Sequence, residues 1–386
     1  MSSAPVFDID PAAFKADPYP VMKEMRAVAP IVSVPQLRST LFLDRDQMFT
    51  AEKDVPVFSS ANPQGIMTRL MGRNMMKQDG EGHMVERKAL FTAFAPRTVR
   101  DHWVPLLRDH ATDLLDAMEQ NGRADLVLDY AMPLSGHLLR HVTGLSSATP
   151  QDIDRWSQAM IDGIANYAGD PEPEARCHAA TAQIDAAVDT QADQGAAEDD
   201  KDMVSCGLRN GLSPMQIRNN VKLAISGGQN EPRDVIAGLA WALLEHPKQK
   251  ELVLSGAVDW RQAFEEYVRW ISPIGMLPRN VAQPTERFGI DFEPDEFVFF
   301  MLSAGNRDPS VFSDPDRFDV TRDTSAHVAF GAGPHFCAGA AASRALIAEV
   351  ALPMLFERFP ALRVDGDVPF DGWAFRGPLR VPVDVG

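Results

Sequence analysis

The sequence predicts a mainly α-helical protein with a small β-region, and three observations support this. Apolar residues recur at helical spacing over residues 100–119 and 126–144. Two short alternating stretches, Ile31-Val32-Ser33-Val34 and Thr40-Leu41-Phe42-Leu43, are typical of strands. The composition, 45% hydrophobic and 24% charged, is that of a globular protein with a large core.

Composition and charge exclude several classes of protein. The net charge of −17 argues against a nucleic-acid partner, because phosphate binding needs a basic face. The sequence contains no run of about 18 apolar residues, so we expect no membrane span. Residues 1–17 lack the basic start and apolar core of a signal peptide. The three cysteines lie far apart, which suggests neither a disulfide framework nor a zinc site and favours a cytoplasmic location.

The N-terminal part of the chain begins with a helix-start signal. Asp17-Pro18-Tyr19-Pro20 places proline in a first turn, where its missing N–H costs nothing, and we expect a short helix from Pro20 to Met25. The two predicted strands follow. Residues 59–76 then form an apolar, glycine-containing stretch that we interpret as a loop.

The next segments are predicted to be helical. A helix that carries His83 and Arg87 on one face continues to Phe94 and ends before Pro96. Taken alone, such a pair is usually a solvated face. Residues 151–199 predict a pair of helices followed by an acidic surface loop that is expected to be mobile.

A long central helix is predicted to be interrupted in its middle. Ser213 and Pro214 give a start signal, and core spacing continues to Leu244. Residues 226–232, Ser-Gly-Gly-Gln-Asn-Glu-Pro, break the pattern, because Pro232 cannot donate a hydrogen bond and collides with the carbonyl group four residues earlier. We therefore expect the helix to open there and to leave carbonyl groups free in a groove.

Glu266 and Arg269 lie on the helix that follows Asp259 and ends at Pro273. The segment Ile274-Gly275-Met276-Leu277-Pro278 is expected to be extended, and Phe297 to Leu302 reads as a buried strand.

The stretch from Phe330 to Gly339 places a lone cysteine among small residues. Gly331 and Gly333 permit the positive φ angles of a tight turn. Cys337 precedes an apolar run over residues 340–356, and the N-terminus of a helix favours a thiolate. A thiolate of this kind can be an axial ligand of haem iron. The alternative for one cysteine beside glycines is a small buried apolar residue.

This stretch resembles the cysteine-ligand loop of the cytochrome P450 family, Phe-Gly-x-Gly-x-His-x-Cys-x-Gly. Other family motifs occur in the expected order: Asp17-Pro18-Tyr19-Pro20, His83-x-x-x-Arg87, Glu266-x-x-Arg269 and Asn306-Arg307-Asp308-Pro309. The resemblance implies one domain with the cytochrome P450 fold over residues 1–386. It also implies haem b (heme b, iron protoporphyrin IX), with Cys337 as the ligand of the metal.

The resemblance assigns roles to further residues. Four side chains are expected to bind the haem propionates: His83, Arg87, Arg279 and His335. Phe330 is expected to pack beside the thiolate, and Gly339 to border the haem. Glu266 and Arg269 would support the haem loop with a third partner, which Arg317 matches only loosely. The expected substrate pocket consists of Ile66, Met67, Leu70, Ile274, Met276, Leu277 and Phe375.

The sequence departs from the family at the central helix. Most members read Gly-x-Asp/Glu-Thr there, whereas this chain has Asn230 at the acid position and Glu231 at the alcohol position, after Gly227 and Gly228. The usual acid and alcohol pair for proton transfer is therefore missing. Glu231 becomes the candidate for proton delivery, and the alternative is a carboxylate turned toward solvent.

The function implied by the resemblance is oxygen insertion into a small aromatic organic substrate. Glu231-Pro232 and the segment Trp373-Ala374-Phe375-Arg376-Gly377-Pro378 are similar to a bacterial subgroup that demethylates aryl methyl ethers. Electrons would come from a ferredoxin or a flavin/iron-sulfur reductase, because no glycine-rich nucleotide loop follows a strand.

Two alternatives stay open at the level of sequence. Glu231 could instead assist hydrogen peroxide in a peroxygenase, by removing one proton and returning it to the leaving oxygen. The missing acid and alcohol pair would also suit a haem-binding protein without oxygenase activity.

Overall fold

The computed structural model describes residues 2–166 and 169–386. Over these residues 56% of the structure is helical, which confirms the mainly α prediction. The helices are α1 (Pro11–Ala16), α2 (Pro18–Val28), α3 (Arg45–Ala51), α4 (Ile66–Met71), α5 (Gly80–Phe94), α6 (Pro96–Thr98), α7 (Val104–Asn121), α8 (Met132–Thr143), α9 (Pro150–Ile164), α10 (Pro171–Asp193), α11 (Met203–Arg209), α12 (Pro214–Ser226), α13 (Asn230–Glu245), α14 (Pro247–Leu254), α15 (Trp260–Ile271), α16 (Leu302–Gly305), α17 (Ala340–Arg344) and α18 (Leu352–Arg358).

The strands are short. They are β1 (Ile31–Val34), β2 (Ser39–Phe42), β3 (Phe58–Ser59), β4 (Arg123–Asp125), β5 (Leu277–Val281), β6 (Thr285–Arg287), β7 (Ile290–Phe292), β8 (Phe297–Phe300), β9 (Arg363–Val364), β10 (Phe370–Asp371), β11 (Gly377–Pro378) and β12 (Pro382–Asp384). Turns of π-helix occupy Val99–Trp103, Leu126–Ala131 and Ala345–Ala351. Within the described ranges, no helix has both the length and the apolar character that crossing a bilayer requires.

The chain forms two compact units. The first contains residues up to Ala61, Gly238–Cys337 and Asp367–Leu379, and the second contains Asn62–Ala237, Ala338–Gly366 and Arg380–Gly386. The expectation of one domain over the whole chain stays a prediction.

The first unit is organised around a five-stranded sheet of order β1-β2-β8-β5-β3. Strands β2 and β8 are parallel, and the other neighbours are antiparallel. Successive side chains point to opposite faces of a strand. Phe42 and Phe300 therefore join one apolar cluster, and Leu41 and Phe299 join another. The β-region predicted from residues 31–34, 40–43 and 297–302 is confirmed, although β8 ends at Phe300 and Leu302 already begins α16.

The predicted support pair is buried and strongly bonded. Nε and Nη2 of Arg269 donate to the Glu266 carboxylate at 2.6 and 2.8 Å, and both side chains are fully buried. The third partner is Arg322, whose Nε lies 3.3 Å from Oε1 of Glu266. The suggestion of Arg317 is wrong for its side chain, which is 63% exposed beside Asp319. Arg317 contributes only its backbone carbonyl, which accepts from Arg269.

Arg269 also connects this pair to the segment before the cysteine. Its Nη1 donates to the carbonyl oxygens of Asn306 and Pro315, both at 2.9 Å. The Asn306 side chain in turn accepts from the backbone N–H of Val328 at 2.7 Å. The carbonyl of Val328 then accepts from the N–H of Gly331 at 2.8 Å. A continuous set of hydrogen bonds therefore runs from Arg269 to the cysteine loop.

The second unit consists mainly of packed helices. The expected helix pair over residues 151–199 is present as α9 and α10, which pack on each other and on the loop that carries α4. The interpretation of residues 59–76 as a loop is wrong at α4, because a helix of six residues is stabilised by its packing rather than by propensity. Helix α2 is also longer than predicted, since Asp17 caps it at Pro18.

The buried charges of the first unit generate a stability prediction. Arg322→Ala should lower the free energy of unfolding by about 2 to 3 kcal/mol, because it removes a bond to a buried carboxylate and one of the donors to the carbonyl groups of the adjoining loop. Arg317→Ala is the matched control, and its exposed side chain predicts a change within about 0.5 kcal/mol. Urea unfolding followed by fluorescence measures both values. Equal effects of the two substitutions would contradict the assignment of Arg322.

Candidate functional site

The cysteine loop has the turn geometry that its glycines predict. Gly331 and Gly333 adopt φ angles of 68° and 64°, in the left-handed region. Phe336 donates its N–H to the carbonyl of Gly333 at 3.2 Å, and Cys337 donates to that of Phe330 at 2.9 Å. The backbone is thereby folded into a compact turn that ends at the sulfur-bearing residue.

Glycine is also required there by close packing. A Cβ atom at Gly331 would lie 3.2 Å from Oε1 of Glu52, and one at Gly333 would lie 3.2 Å from the Glu52 carbonyl oxygen. Both distances are shorter than ordinary van der Waals contacts. The cysteine loop therefore rests directly on Glu52, at the end of α3.

All three cysteines lie in the described part of the chain, and they differ in exposure. Cys177 and Cys206 are buried, whereas Cys337 is exposed. Burial raises the pKa of Cys177 to about 11 and also raises that of Cys206. These two thiols are therefore poor ligands at neutral pH. Cys337 is the cysteine whose sulfur is accessible to an iron atom, and it fits the haem ligand that the motif implies.

Glu52 is a buried charged residue that the sequence did not reveal. Its Oε1 lies 3.4 Å from Nη2 of Arg279, and both side chains are almost fully buried. Burial raises the pKa of Glu52 to about 7, while Arg279 and the N–H of Ala332 act in the opposite direction. One carboxyl group thus contacts a predicted propionate-binding arginine and the backbone of the cysteine loop. The sequence around Glu52 contains no motif that could have identified it.

Phe330 and Phe336 are the aromatic residues of the cysteine loop. The Phe330 ring lies 6.1 Å from the ring of Phe264 and 6.3 Å from that of Phe336. His335 is half-buried within a short 3-10 turn. Gly339 precedes α17 with a φ of −82°, so its backbone does not require glycine.

The segment after Pro273 is extended, as predicted, and is paired with the C-terminal turn. Ile274 and Phe375 form an antiparallel bridge, and Gly275 donates its N–H to the carbonyl of Ala374 at 2.8 Å. A Cβ atom at Gly275 would lie 1.9 Å from the carbonyl oxygen of Trp373, so only glycine fits. The two pocket segments predicted in the first unit are therefore adjacent.

Several other residues of the predicted substrate pocket pack against apolar side chains of the protein. Met276 and Leu277 pack against different apolar clusters, on the two sides of the sheet. In the second unit, Ile66 and Met67 are half-buried, whereas Leu70 is 4% exposed. Leu70 packs beside Gly163 and Cys177. The pocket assignment of all these residues stays a prediction.

The central helix is interrupted where the sequence predicts. Helix α12 ends at Ser226 and α13 begins at Asn230, with a turn between them. Pro232 thus lies in the first turn of α13, where a missing N–H and the proline ring are tolerated. Gly228 packs under Leu139, whose side chain would lie 3.1 Å from an added Cβ atom.

The carbonyl groups at the interruption are not free, contrary to the expectation. The hydroxyl of Ser135 donates to the Gln229 carbonyl at 2.9 Å and lies 3.3 Å from that of Gly228. The Gln229 side chain donates to the carbonyl of Met132 at 3.2 Å and to Asp154 at 3.1 Å. These partners come from α8 and α9, so no local sequence signal could have identified them.

The carboxyl group of Glu231 differs from these hydrogen-bonded carbonyl groups. Both of its carboxylate oxygens are buried and accept no hydrogen bond from another described residue. Burial raises the pKa of Glu231 to about 7, and the nearby carboxylate of Asp234 acts in the same direction. The alternative of a carboxylate turned toward solvent is therefore wrong. Asn230 is 7% exposed, and its Oδ1 also accepts no bond from the described residues.

Charged residues connect the first turn of α13 to the surface. Nε of Arg233 donates to Asp234 at 2.9 Å, and Nη1 donates to Asp154 at 3.4 Å. Burial raises the pKa of Asp234 to about 6. Asp154 is partly exposed. Two acidic groups with elevated pKa values therefore lie within one helical turn, next to a carboxylate that reaches solvent.

His83 and Arg87 lie on α5 as predicted, with His83 buried and Arg87 half-buried. Glu86, between them, is buried as well and accepts hydrogen bonds from Gln78, Gln216 and Asn220 at 2.8, 3.0 and 2.6 Å. Three amide side chains thus fix the orientation of α5. The sequence did not identify Glu86 or its partners.

Comparison with known proteins supports the same family as the motifs. Residues 260–369 match the family model "Cytochrome P450". The chain is 31% identical over 326 residues to cytochrome P450 107B1 of Saccharopolyspora erythraea, which covers 82% of this chain and 78% of the relative. It is 28% identical to 6-deoxyerythronolide B hydroxylase of the same organism, over 97% of this chain and 98% of that protein.

A solved structure has the same fold over nearly the whole chain. The epothilone D-bound cytochrome P450epoK superposes with a TM-score of 0.87 at 25% identity, over 98% of this chain and 99% of the other. The fold predicted from the motifs is thus confirmed. The chain therefore belongs to the cytochrome P450 family and is a monooxygenase whose cofactor is haem b.

Proposed function

We propose that Cys337 binds the haem iron and that Glu231 supplies protons during the oxidation of a small aromatic substrate. The observation that carries the proposal is the buried, unpartnered Glu231 carboxyl group at the interruption of the central helix. Carboxyl groups with a pKa near the working pH are effective proton donors and acceptors.

The residues that would hold the haem are the exposed cysteine and the four basic side chains described above. Cys337 would bind the iron through its accessible sulfur. Arg279, His335, His83 and Arg87 would bind the propionates through charge-assisted hydrogen bonds. When bound, the haem supplies the oxygen-activating chemistry, and the protein supplies positioning and protons.

Glu231 would hold a proton at one carboxylate oxygen and release it to the reaction. With a pKa of about 7 it is partly protonated near neutral pH, so it can donate a proton and recover it. Asp234, whose pKa is also raised, would return a proton to Glu231, and Arg233 would hold Asp234 and the partly exposed Asp154 in place without passing a proton itself. This arrangement would replace the acid and alcohol pair that most of the family uses.

The proposed substrate is a small aromatic molecule, with an aryl methyl ether as the leading class. The support is the similarity of Glu231-Pro232 and Trp373–Pro378 to the demethylating subgroup, together with the half-buried Phe375 beside Ile274. Relatives named for other molecules, such as a hydroxylase of 6-deoxyerythronolide B, make a macrolide the competing class. Electrons would come from a ferredoxin or a flavin/iron-sulfur reductase.

The role of Cys337 predicts a spectroscopic change. The reduced protein with carbon monoxide should show the long-wavelength Soret band of a sulfur-ligated haem, and Cys337→Ala should lose that band because no other thiol is accessible. Cys206→Ala, at a buried thiol, is the matched control and should keep the band. Retention of the band in Cys337→Ala would overturn the assignment of the ligand.

The role of Glu231 predicts a pH-dependent loss of coupling. The pKa is raised, so the group keeps its proton below about pH 7 and loses it above. Turnover driven by a reductase should therefore decline as the pH rises through 7, and Glu231→Gln should be roughly 100-fold slower, the size of a general-acid effect. The rate of product formation and the product formed per reduced nicotinamide consumed, both measured from pH 6 to 9, give the readout.

The control variant is Glu245→Gln, at an exposed residue in the last turn of α13. It should keep the wild-type profile. Turnover with hydrogen peroxide separates the second candidate function, which the unpartnered carboxyl of Glu231 also favours. Loss of the reductant-driven route alone in Glu231→Gln supports the monooxygenase, whereas loss of the peroxide-driven route alone supports a peroxygenase.

The proposed substrate class predicts selective binding. Methoxybenzoates and other small methoxyarenes should shift the haem Soret band at micromolar concentration, whereas macrolides and long-chain fatty acids should not. Phe375→Ala should weaken the methoxyarene response more than tenfold, because a buried aromatic contact of about 2 kcal/mol is lost. Leu379→Ala, at an exposed residue near the same turn, is the control. A shift with macrolides only would refute the aromatic class.

A further inference from the structure

Three histidines of the second unit gather on α7 and α8. Nε2 of His110 lies 3.1 Å from Nε2 of His141. The ring of His137 is stacked on that of His110, with centroids 3.6 Å apart and planes inclined by 11°. None of the three is part of the predicted haem, pocket or proton-transfer residues, and all are half-buried, so solvent and small ions can reach them.

The distance between Nε2 of His110 and Nε2 of His141 is that of two imidazoles bound to one metal ion. Zn–N bonds are about 2.0–2.1 Å long, so two imidazoles bound to one ion at angles of 90–110° lie roughly 2.9–3.4 Å apart. The same distance also suits a hydrogen bond between two neutral rings. A hydrogen bond directs the N–H of one ring at the Nε2 lone pair of the other, whereas a metal ion needs both lone pairs to converge on it and both rings in the neutral state.

The surroundings favour neutral rings. Burial lowers the pKa of His141 and of His137 to about 4, and it lowers that of His110. The guanidinium of Arg140 acts in the same direction on all three rings, whereas Asp109 and Asp113 oppose it at His110. At neutral pH the two facing rings therefore need not lose a proton before they bind a cation.

Both rings are held in place by aromatic neighbours. His137 covers one face of His110. Trp103 lies nearly parallel to His141, with centroids 6.3 Å apart and planes inclined by 17°. Side chains held in the binding geometry lose little conformational freedom when the ligand arrives. The pair is thus preorganised, although each ring belongs to a different helix.

We propose that His110 and His141 chelate one divalent transition-metal ion, which joins α7 to α8. Imidazole ligands suit Zn²⁺, Ni²⁺ and Cu²⁺, and Cu²⁺ should bind tightest in the usual order of affinities. Water would complete the coordination, because no group of three or more His, Cys, Asp and Glu side chains in the described ranges is arranged as a metal site. His137 acts as a positioning residue.

A calorimetric titration of the tag-free holoenzyme with ZnCl₂, after removal of metals with a chelator, tests the site. One equivalent of Zn²⁺ should bind and should raise the melting temperature, because the ion binds the folded state alone. His110→Gln and His141→Gln should each weaken binding roughly 100-fold, since a single imidazole has no chelate advantage. With Cu²⁺, electron paramagnetic resonance should show two coupled imidazole nitrogens.

Two further variants decide between a specific pair and general binding to histidine. His178→Gln, at an exposed histidine of α10, should bind Zn²⁺ like the wild type. His137→Phe keeps an aromatic ring beside His110 and should retain most of the affinity. The proposal is overturned if the wild type binds no equivalent, if binding survives in His141→Gln, or if His137→Phe abolishes it. An unchanged haem spectrum shows that each variant is folded, and the outcome is independent of the role of Cys337.

Discussion

The carboxylate of Glu266 is stable in the core only because several donors surround it. Two arginines contact it, and the backbone N–H of Asp319 donates to it at 2.8 Å. Removing the fully buried partner, Arg269, should cost about 3 to 5 kcal/mol, because the Glu266 charge would lose its strongest compensation. Arg269 also binds three carbonyl groups of the following loop. The position of the cysteine loop therefore depends on a charge network that lies some distance from it in sequence.

Glu231 shows what the same principle implies when the partners are missing. Its carboxyl group is buried and accepts no hydrogen bond from another described residue. The nearby hydroxyl of Ser135 donates to the carbonyl of Gln229 instead. A buried carboxyl without donors favours its protonated form, and its pKa rises to about 7. A structural acid would be surrounded by donors, as Glu266 and Glu86 are. The contrast between these residues separates structural acids from the candidate for proton transfer.

The sequence predicted the elements that local chemistry controls. Proline and aspartate caps, strand alternation and the glycines of the cysteine loop each correspond to a feature in the structure. Residues whose roles depend on distant partners were not predictable. Arg322 rather than Arg317 contacts Glu266, and Glu52 contacts Arg279 across 227 residues of sequence. Nothing in the composition near these residues indicates which arginine or glutamate will be buried, because burial is decided by packing.

The C-terminal segment Trp373–Pro378 illustrates how far motif similarity can support a substrate. Trp373 packs on Phe14 and Phe299, with ring centroids 5.3 and 6.0 Å apart, so it belongs to the core. Arg376 donates to the carbonyl groups of Ala16 and Gly372 at 3.0 and 2.9 Å, which holds the turn in place.

The contacts of Trp373 and Arg376 are therefore structural, and any substrate preference that this segment carries must come from its other residues. Phe375 is the exception, because its segment pairs with Ile274 and its ring is only half-buried. Met276 and Leu277, the other predicted pocket residues of this segment, pack against different apolar clusters. In the first unit the bridge between the two segments brings Phe375 next to Ile274, so these two residues are the first to examine for contact with an aromatic substrate.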